Sequence, residues 1–414
     1  MFMFVATVSL WGSGFQIVEQ GASNMGTALA GAAVNANNDA SAAYWNPAAG
    51  FFVKSDGKID FAGSFIIPAM TFKGSATYPN GNEVYGDKVA DAGKLAFVPN
   101  FFLIRKITDD LLVSVSLTAP FGLETRYDNE FVGRMHGIKS NVTTLEFNPS
   151  IAYKVTDWFS VAAGASVNYV HAELTSTADP TNAGVVAAEF NARAAGQGWT
   201  GSFNVGAAFK FLETGRLGVS YRHRISHDVE GALRLKHPSG TAINYDVTAA
   251  VDLPSVITAG IYYRFKEELS PFAVMFDYSW TQWSLFDALT FVDSSSGTVV
   301  SNTPENWRNT SRFSIGMHYH PTWDEDLVFR VGLTYDETPV RNKHERTPRI
   351  PDADRLWVSC GLGYQIDWLN IDIAYTYIFF NNVSMDHTHP SYGNVKGDYS
   401  GHAHVLSLQA GISW

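Results

Sequence analysis

Along most of the chain, apolar and polar residues alternate one by one, so each segment has one greasy face and one mixed face. A period of two marks extended strands, whose side chains point to opposite faces in turn. In 327–336, Leu327, Phe329, Val331, Leu333 and Tyr335 share one face, opposite Val328, Arg330, Gly332, Thr334 and Asp336. In 355–366, Leu356, Val358, Cys360, Leu362, Tyr364 and Ile366 oppose Arg355, Trp357, Ser359, Gly361, Gly363 and Gln365. Ile371, Ile373, Tyr375, Tyr377 and Phe379 form another apolar row. In 217–226, Leu217, Val219, Tyr221 and Ile225 face away from Arg222 and Arg224.

Thirteen connections separate these segments and alternate between short and long. The short ones are 108–110, 156–157, 213–215, 266–271, 321–326 and 366–367; the long ones are roughly 73–96, 127–140, 176–198, 232–246, 290–305, 337–354 and 381–401. The pattern predicts fourteen antiparallel strands closed into an all-β transmembrane barrel, with tight periplasmic turns on one rim and long extracellular loops on the other. The strands read as about 10–16 residues, against roughly 5–6 in soluble sheets, which argues against a soluble sandwich. Arg, Asp and Asn recur on the non-lipid face, as a wet or ligand-filled interior requires.

Residues 14–50 break the rule. They are rich in Ala, Gly and Asn, from Gly21 to Gly31, through Asn35–Asp39, to Ala42–Gly50. Asp39 is placed to cap a short helix over 40–44, and Pro47 to end it. With an even strand number both ends of the barrel lie at the periplasmic rim, so a compact segment before the first strand can fold into the lumen as a plug. Its Phe15, Ile17, Met25, Leu29, Tyr44, Trp45 and Phe51 favour burial over disorder. The expected organisation is a signal-peptide remnant over 1–12, an N-terminal hatch over 13–55 and the barrel over 56–414. The apolar run Met1–Trp11 resembles the core of a secretory leader, with cleavage expected near Gly12 or Ser13.

Composition agrees. The 414 residues are 46% hydrophobic but only 17% charged, and 14% are aromatic, as suits a barrel with two aromatic girdles. A net charge of −11 argues against nucleic acid as a partner. Cys360 is the lone cysteine, so no internal disulfide forms. The pairs His318/His320, His387/His389 and His402/His404 lack the further ligands a zinc site needs. With no nucleophile motif or phosphate loop either, no catalytic residue, metal or cofactor is expected.

Several stretches together resemble the FadL/TodX family of outer-membrane transporters for long-chain fatty acids and other hydrophobic compounds. They are Gly14-Phe15-Gln16, the Gly/Ala-rich run, Asn46-Pro47-Ala48, Val98–Phe101, Ala119–Leu123, Gly133-Arg134, Thr347–Arg355 and the terminal Trp414. The resemblance implies a bacterial outer-membrane monomer that passively imports a fatty acid or similar hydrophobic ligand. It places Asn46, Pro47 and Ala48 in the hatch, close to a kink in the third strand through which ligand leaves sideways. Pro120-Phe121-Gly122 in the third strand, Leu111–Arg126, marks an interruption on independent grounds, because proline cannot donate to a ladder. The ligand-binding candidates are Phe131, Arg134 and Met135 on an extracellular loop, Arg222, Arg224 and Arg330 toward the lumen, and the cationic loop 341–349. His171 stands where fatty-acid-specific members carry an arginine, and alternation turns it outward. Trp414, with Leu406, Leu408, Ala410 and Ile412 on its face, resembles the signal read by the barrel-assembly machinery. An aromatic-hydrocarbon channel of the same family, a general porin and an outer-membrane lipid hydrolase remain alternatives.

Overall fold

A computed structural model describes residues 13–181 and 183–414, so the expected signal remnant at 1–12 lies outside the described residues. The alternating segments form fourteen antiparallel strands. They are β1 (Gly57–Thr77), β2 (Ala96–Lys106), β3 (Leu111–Thr118, then Gly122–Arg126), β4 (Lys139–Thr156), β5 (Phe159–Ala178) and β6 (Phe190–Phe211). Next come β7 (Gly215–Arg222, then Ile225–Lys236), β8 (Ala242–Leu253, then Val256–Arg264), β9 (Phe272–Thr281, then Ala288–Asp293) and β10 (Val299–Pro304, then Thr310–Tyr319). The last are β11 (Leu327–Asp336), β12 (Arg355–Ile366), β13 (Leu369–Phe380, then Val383–His389) and β14 (Gly393–Ser413).

Neighbours in sequence are neighbours in the wall, and β14 returns to pair with β1 from Lys58↔Ser413 to Thr77↔Asn394. Closure leaves no sheet edge, the condition for crossing lipid with strands. Phe329, Val331, Leu333 and Tyr335 of β11 are exposed outward, whereas Arg330, Thr334 and Asp336 are buried inward. Cys360 also faces outward.

The connections differ from the sequence reading on the long-loop side only. Much of 232–246, 290–305 and 381–401 is strand: Ile225–Lys236 and Ala242–Leu253 pair along twelve-residue segments, and Val383–His389 pairs with β14. These ribbons project beyond the lipid, where both faces meet polar surroundings, so the apolar alternation that marks a membrane strand fades there.

The lumen is filled by the N-terminal segment. It contains two single-turn helices, α1 (Ala22–Met25) and α2 (Ala42–Trp45), and a 3₁₀ turn, Pro47–Phe52. Asp39 accepts from the amide of Ser41 at 3.0 Å and its hydroxyl at 2.6 Å, just ahead of α2. Small inward residues make room for it. A Cβ at Gly332 would collide with the carbonyl of Thr27, and one at Gly218 with that of Ala33.

The outward row predicts a depth-dependent cost of charge. Val331→Arg should destabilise the barrel by about 2–4 kcal/mol, measured by denaturant titration in phospholipid vesicles. Val299→Arg, on the extracellular ribbon, should change it little.

Candidate functional site

The third strand is broken where its proline stands. Thr118 pairs with Glu146 and Gly122 with Thr143, so β3 takes four steps while β4 takes three. The extra residue is a bulge, and the ladder from β2 to β3 ends at Phe101↔Leu117. Beyond that pair, residues 96–100 of β2 are laddered only to β1. The wall therefore parts between β2 and the bulge of β3.

The N-terminal segment closes the parting. Gln16 bridges Phe121 as an antiparallel pair. Ile17 N–H donates to Pro120 C=O and Gly122 N–H to Phe15 C=O, both at 2.9 Å. Gln20 donates to Ala119 C=O at 3.1 Å, and Thr144 Oγ1 accepts from Phe121 N–H at 3.0 Å. On the other bank, Ser64 Oγ and Asn100 Nδ2 donate to Glu19 C=O at 3.1 and 3.4 Å. Residues 15–20 thus pair with the bulge of β3 and satisfy backbone groups there that lipid could not.

Above this seam Phe15 sits in an aromatic box. Its ring lies 4.9 Å from Trp283, 5.4 Å from Phe286, 5.7 Å from Trp307 and 6.2 Å from Phe121. Trp283 and Trp307 come from the irregular joints inside β9 and β10, where the chain turns inward. Phe15 is also the floor of a cavity with about 840 Å³ of empty space, counting its open mouth. The walls are inward residues of β4 to β9, among them Val142, Val170, Leu174, Val229, Val247 and Phe291. The charged side chains lining it are Arg349 and Glu305. Arg349 is anchored by one nitrogen to Lys139 C=O, Ser140 Oγ and Thr175 C=O at 3.1–3.3 Å. Glu305, outside the membrane ladders, has its carboxyl pushed up to about 8 by burial, against the pull of a Trp307 hydrogen bond and of Arg349. A wider polar cavity lies beyond and shares Leu174, Ala194, Leu289, Phe291 and Arg349 with the apolar one. A polar mouth, an apolar chamber and the plugged seam are therefore consecutive.

The plug is held by polar groups of the wall. Asp277 accepts from Gly31 N–H at 2.7 Å and Ala33 N–H at 2.9 Å. Asp352 accepts from Gly14 N–H at 3.0 Å, and Arg216 donates to Asn35 C=O at 2.6 Å.

Residues 3–414 match the family described as outer membrane protein transport protein (OMPP1/FadL/TodX). The chain belongs to this family. Outer membrane protein P1 of Haemophilus influenzae is 25% identical over 91% of this chain and 88% of its own. The long-chain fatty acid transport protein of Escherichia coli K12 is 24% identical over 91% and 90%. Among solved structures, a Pseudomonas aeruginosa FadL homologue shares the fold with a TM-score of 0.88 at 24% identity, over 97% of this chain and 99% of that one. The Pseudomonas putida toluene transporter TodX does so at 0.74 and 18%, over 96% and 99%. Membership of the FadL/TodX family places the protein in the outer membrane as a transport protein.

Within this FadL/TodX-family barrel, the sequence-predicted residues fall into three groups. Pro120, Phe121 and Gly122 form the break. Asn46 is buried and packs on β6 and β7, a few strands along the wall from the break: its amide donates to Ala33 C=O at 2.8 Å and Ala207 C=O at 3.1 Å, and it abuts Gly206 and Gly218. Ala48 C=O accepts from Ser160 Oγ at 2.9 Å, and Pro47 opens the 3₁₀ turn. The segment that enters the kink is 15–20, not the Asn-Pro-Ala motif. Arg222 and Arg330 face inward, yet both are engaged with the plug. Arg222 pairs with Glu146 and donates to Tyr44 C=O at 3.0 Å. Arg330 pairs with Asp372 at 2.7 Å and donates to Asn37 at 2.9 Å.

The third group is corrected by the structure. His171 is turned outward as alternation predicts, so it is its candidacy as a ligand that falls: the cavity is lined by its neighbours Val170 and Ala172. Arg224 is exposed, because the strand bends at 223–224 and the alternation restarts with Ile225 buried. Phe131 and Met135 are not an exposed patch: both are buried, and the Phe131 ring stacks on Tyr127 at 4.1 Å and meets Phe72 edge-on at 5.2 Å. Arg134 is buried with them and makes a two-pronged pair with Glu189 at 2.7 and 2.8 Å. Of the cationic loop, Arg349 alone lines the apolar chamber; Arg346 donates to Asp352 C=O and Ser384 C=O. Sequence reasoning missed Trp283, Trp307 and Glu305. The interruption of alternation at 282–287 and 305–309 was the available signal.

Removing the Asp277 carboxylate strands two buried amides at a cost of about 1–3 kcal/mol. Asp277→Ala should speed hydrogen exchange at residues 31 and 33 while the β9–β10 ladder amides keep their protection. Equal loss in the ladder would mean that Asp277 supports the wall rather than the plug.

Proposed function

We propose that the protein is a passive uptake channel for long-chain fatty acids or similar hydrophobic compounds. Ligand enters the polar mouth, settles in the apolar chamber above Phe15 and leaves sideways through the parting at β3. One observation carries this reading: the residue that floors the chamber, Phe15, immediately precedes the residue that plugs the wall, Gln16. Displacing the first moves the second. An acyl chain gains roughly 0.8 kcal/mol per CH₂ on leaving water, and a route from apolar chamber to lipid keeps that gain. The relative from Escherichia coli is named for fatty acid transport and the neighbour TodX for toluene transport.

The charge of the chamber favours an acid over a neutral hydrocarbon. With Glu305 held largely neutral at pH 7, Arg349 leaves a net positive lining. Raising the pH through 8 ionises Glu305 and cancels that charge. Fatty-acid affinity should therefore fall above pH 8 in the wild type and become level in Glu305→Gln, as read by binding titrations in detergent. A hydrocarbon should bind without pH dependence in both. The second reading, aromatic-hydrocarbon uptake, is favoured by the four-ring box around Phe15 and by the outward His171; a chamber that holds only the hydrocarbon would decide for it.

The exit is tested by mending β3. A variant lacking Ala119 and carrying Pro120→Val restores the residue count against β4 and the missing donor. It should fold but lose uptake of labelled fatty acid by at least about tenfold, ~1.4 kcal/mol in free energy. Unchanged uptake would exclude lateral release. Planar-bilayer recordings should show little ion conductance, which separates this reading from a general porin, and native mass spectrometry should detect a co-purifying hydrophobic ligand.

A further inference from the structure

The short-turn rim, periplasmic in barrels of this kind, opens into a vestibule beneath the plug with about 1170 Å³ of empty space, counting its open mouth. Arg216, Arg264, Arg330 and Lys54 converge there, in a chain whose net charge is −11. Among the described residues, Arg330 alone of these four has an ion-pair partner, Asp372. Arg264 donates to Ser270 C=O at 3.1 Å, and Arg216 to Asn35 C=O while stacking 4.7 Å over Phe52. Backbone carbonyls hold these guanidiniums in place without neutralising them. The other acids of the lining, Glu325 and Asp326, are exposed on the 320–326 turn.

His318 and His320 point into the same space, with rings 5.8 Å apart. His318 is 2% exposed, and its Nε2 has no hydrogen-bond partner. Burial pushes His320, past the end of β10, down to about 4, and the charges of Arg264, Arg330 and Lys54 push the same way. Like charges gathered in a partly desolvated space repel one another unless an opposite charge joins them. A buried, unpartnered imidazole nitrogen beside them, a donor to an anion in the tautomer that protonates it, completes the description of an incomplete anion site.

We propose that this vestibule binds a small oxyanion, a carboxylate or phosphate group, between Arg216, Arg264 and His318. The site is separate from the apolar chamber, on the other side of the plug. The bound anion would touch the plug as well as the wall, because Asn37, Asn38 and Lys54 line the same vestibule. Its occupancy therefore steadies the plug from below, adding to the contacts that the wall already makes with it.

The test uses the full chain in a non-ionic detergent at constant ionic strength, titrated calorimetrically with sodium phosphate and, separately, sodium acetate. Saturable binding of one of them at about millimolar affinity or tighter, weakened at least about tenfold in Arg264→Gln, is the expected result. The stronger of the two anions tells a phosphate source from a carboxylate source. Binding should also raise the thermal unfolding midpoint of the wild type but not of Arg264→Gln. Arg216→Gln, which loses a plug contact too, serves as a second variant only if its unliganded melting matches the wild type. No saturable heat with either anion, or equal affinity in Arg264→Gln, would overturn the proposal. Because the chamber residues are untouched, fatty-acid binding above Phe15 stays measurable whichever way this result falls.

Discussion

A strand inside a bilayer cannot leave a backbone N–H or C=O unpaired without a cost of several kcal/mol, and this barrel interrupts its third strand all the same. The Ala119–Phe121 bulge withdraws β3 from β2, and the exposed groups have to be satisfied from somewhere. They are satisfied from within, by the backbone of Phe15 and Ile17 and the side chain of Gln20. The plug is thus part of the hydrogen-bonding of the wall. A wall completed by a removable segment can open where an unbroken ladder cannot.

The rest of the lumen follows from holding that segment in place. Wall glycines on β7 and β11 let its carbonyls approach, and carboxylates such as Asp277 and Asp352 collect its amides. Polar residues that a porin would turn toward water are spent here on the plug: Arg222 on Tyr44, Arg330 on Asn37, Asn46 on Ala33 and Ala207. What remains open is divided by the plug into an apolar chamber above and a cationic vestibule below. The two differ in chemistry because different faces meet in each: short apolar side chains of β4 to β9 around Phe15 above, and the basic ends of β7, β8, β10 and β11 below.

Legibility varied from place to place. Strand number, closure and the site of the break were readable, since Pro120 announces a missing donor wherever it falls in a strand. The inward direction of Arg222 and Arg330 was readable because it needs only parity within one unbroken segment. The same parity failed for Arg224, two residues on, because the strand bends between them. Phe131 and Met135 looked like an exposed entry patch because nothing local to 127–140 reveals that Phe72 and Tyr127 cover Phe131. The family resemblance placed Asn46 in the hatch close to the kink; that Gln16 is the residue bridging the bulge was not readable.

Alternation of side chains is a local response to a solvent that is lipid on one side, so the sequence by itself determined the barrel, its fourteen strands, its two unlike rims and a non-alternating segment that has to go inside. Which parts of that segment meet which parts of the wall was decided only by tertiary structure. Phe15 finds Trp283 and Trp307, and Ile17 finds Pro120, across separations in sequence that no short-range pattern spans. Those meetings depend on closure of the cylinder, which brings distant strands around one narrow axis and leaves each side chain to compete for the same space.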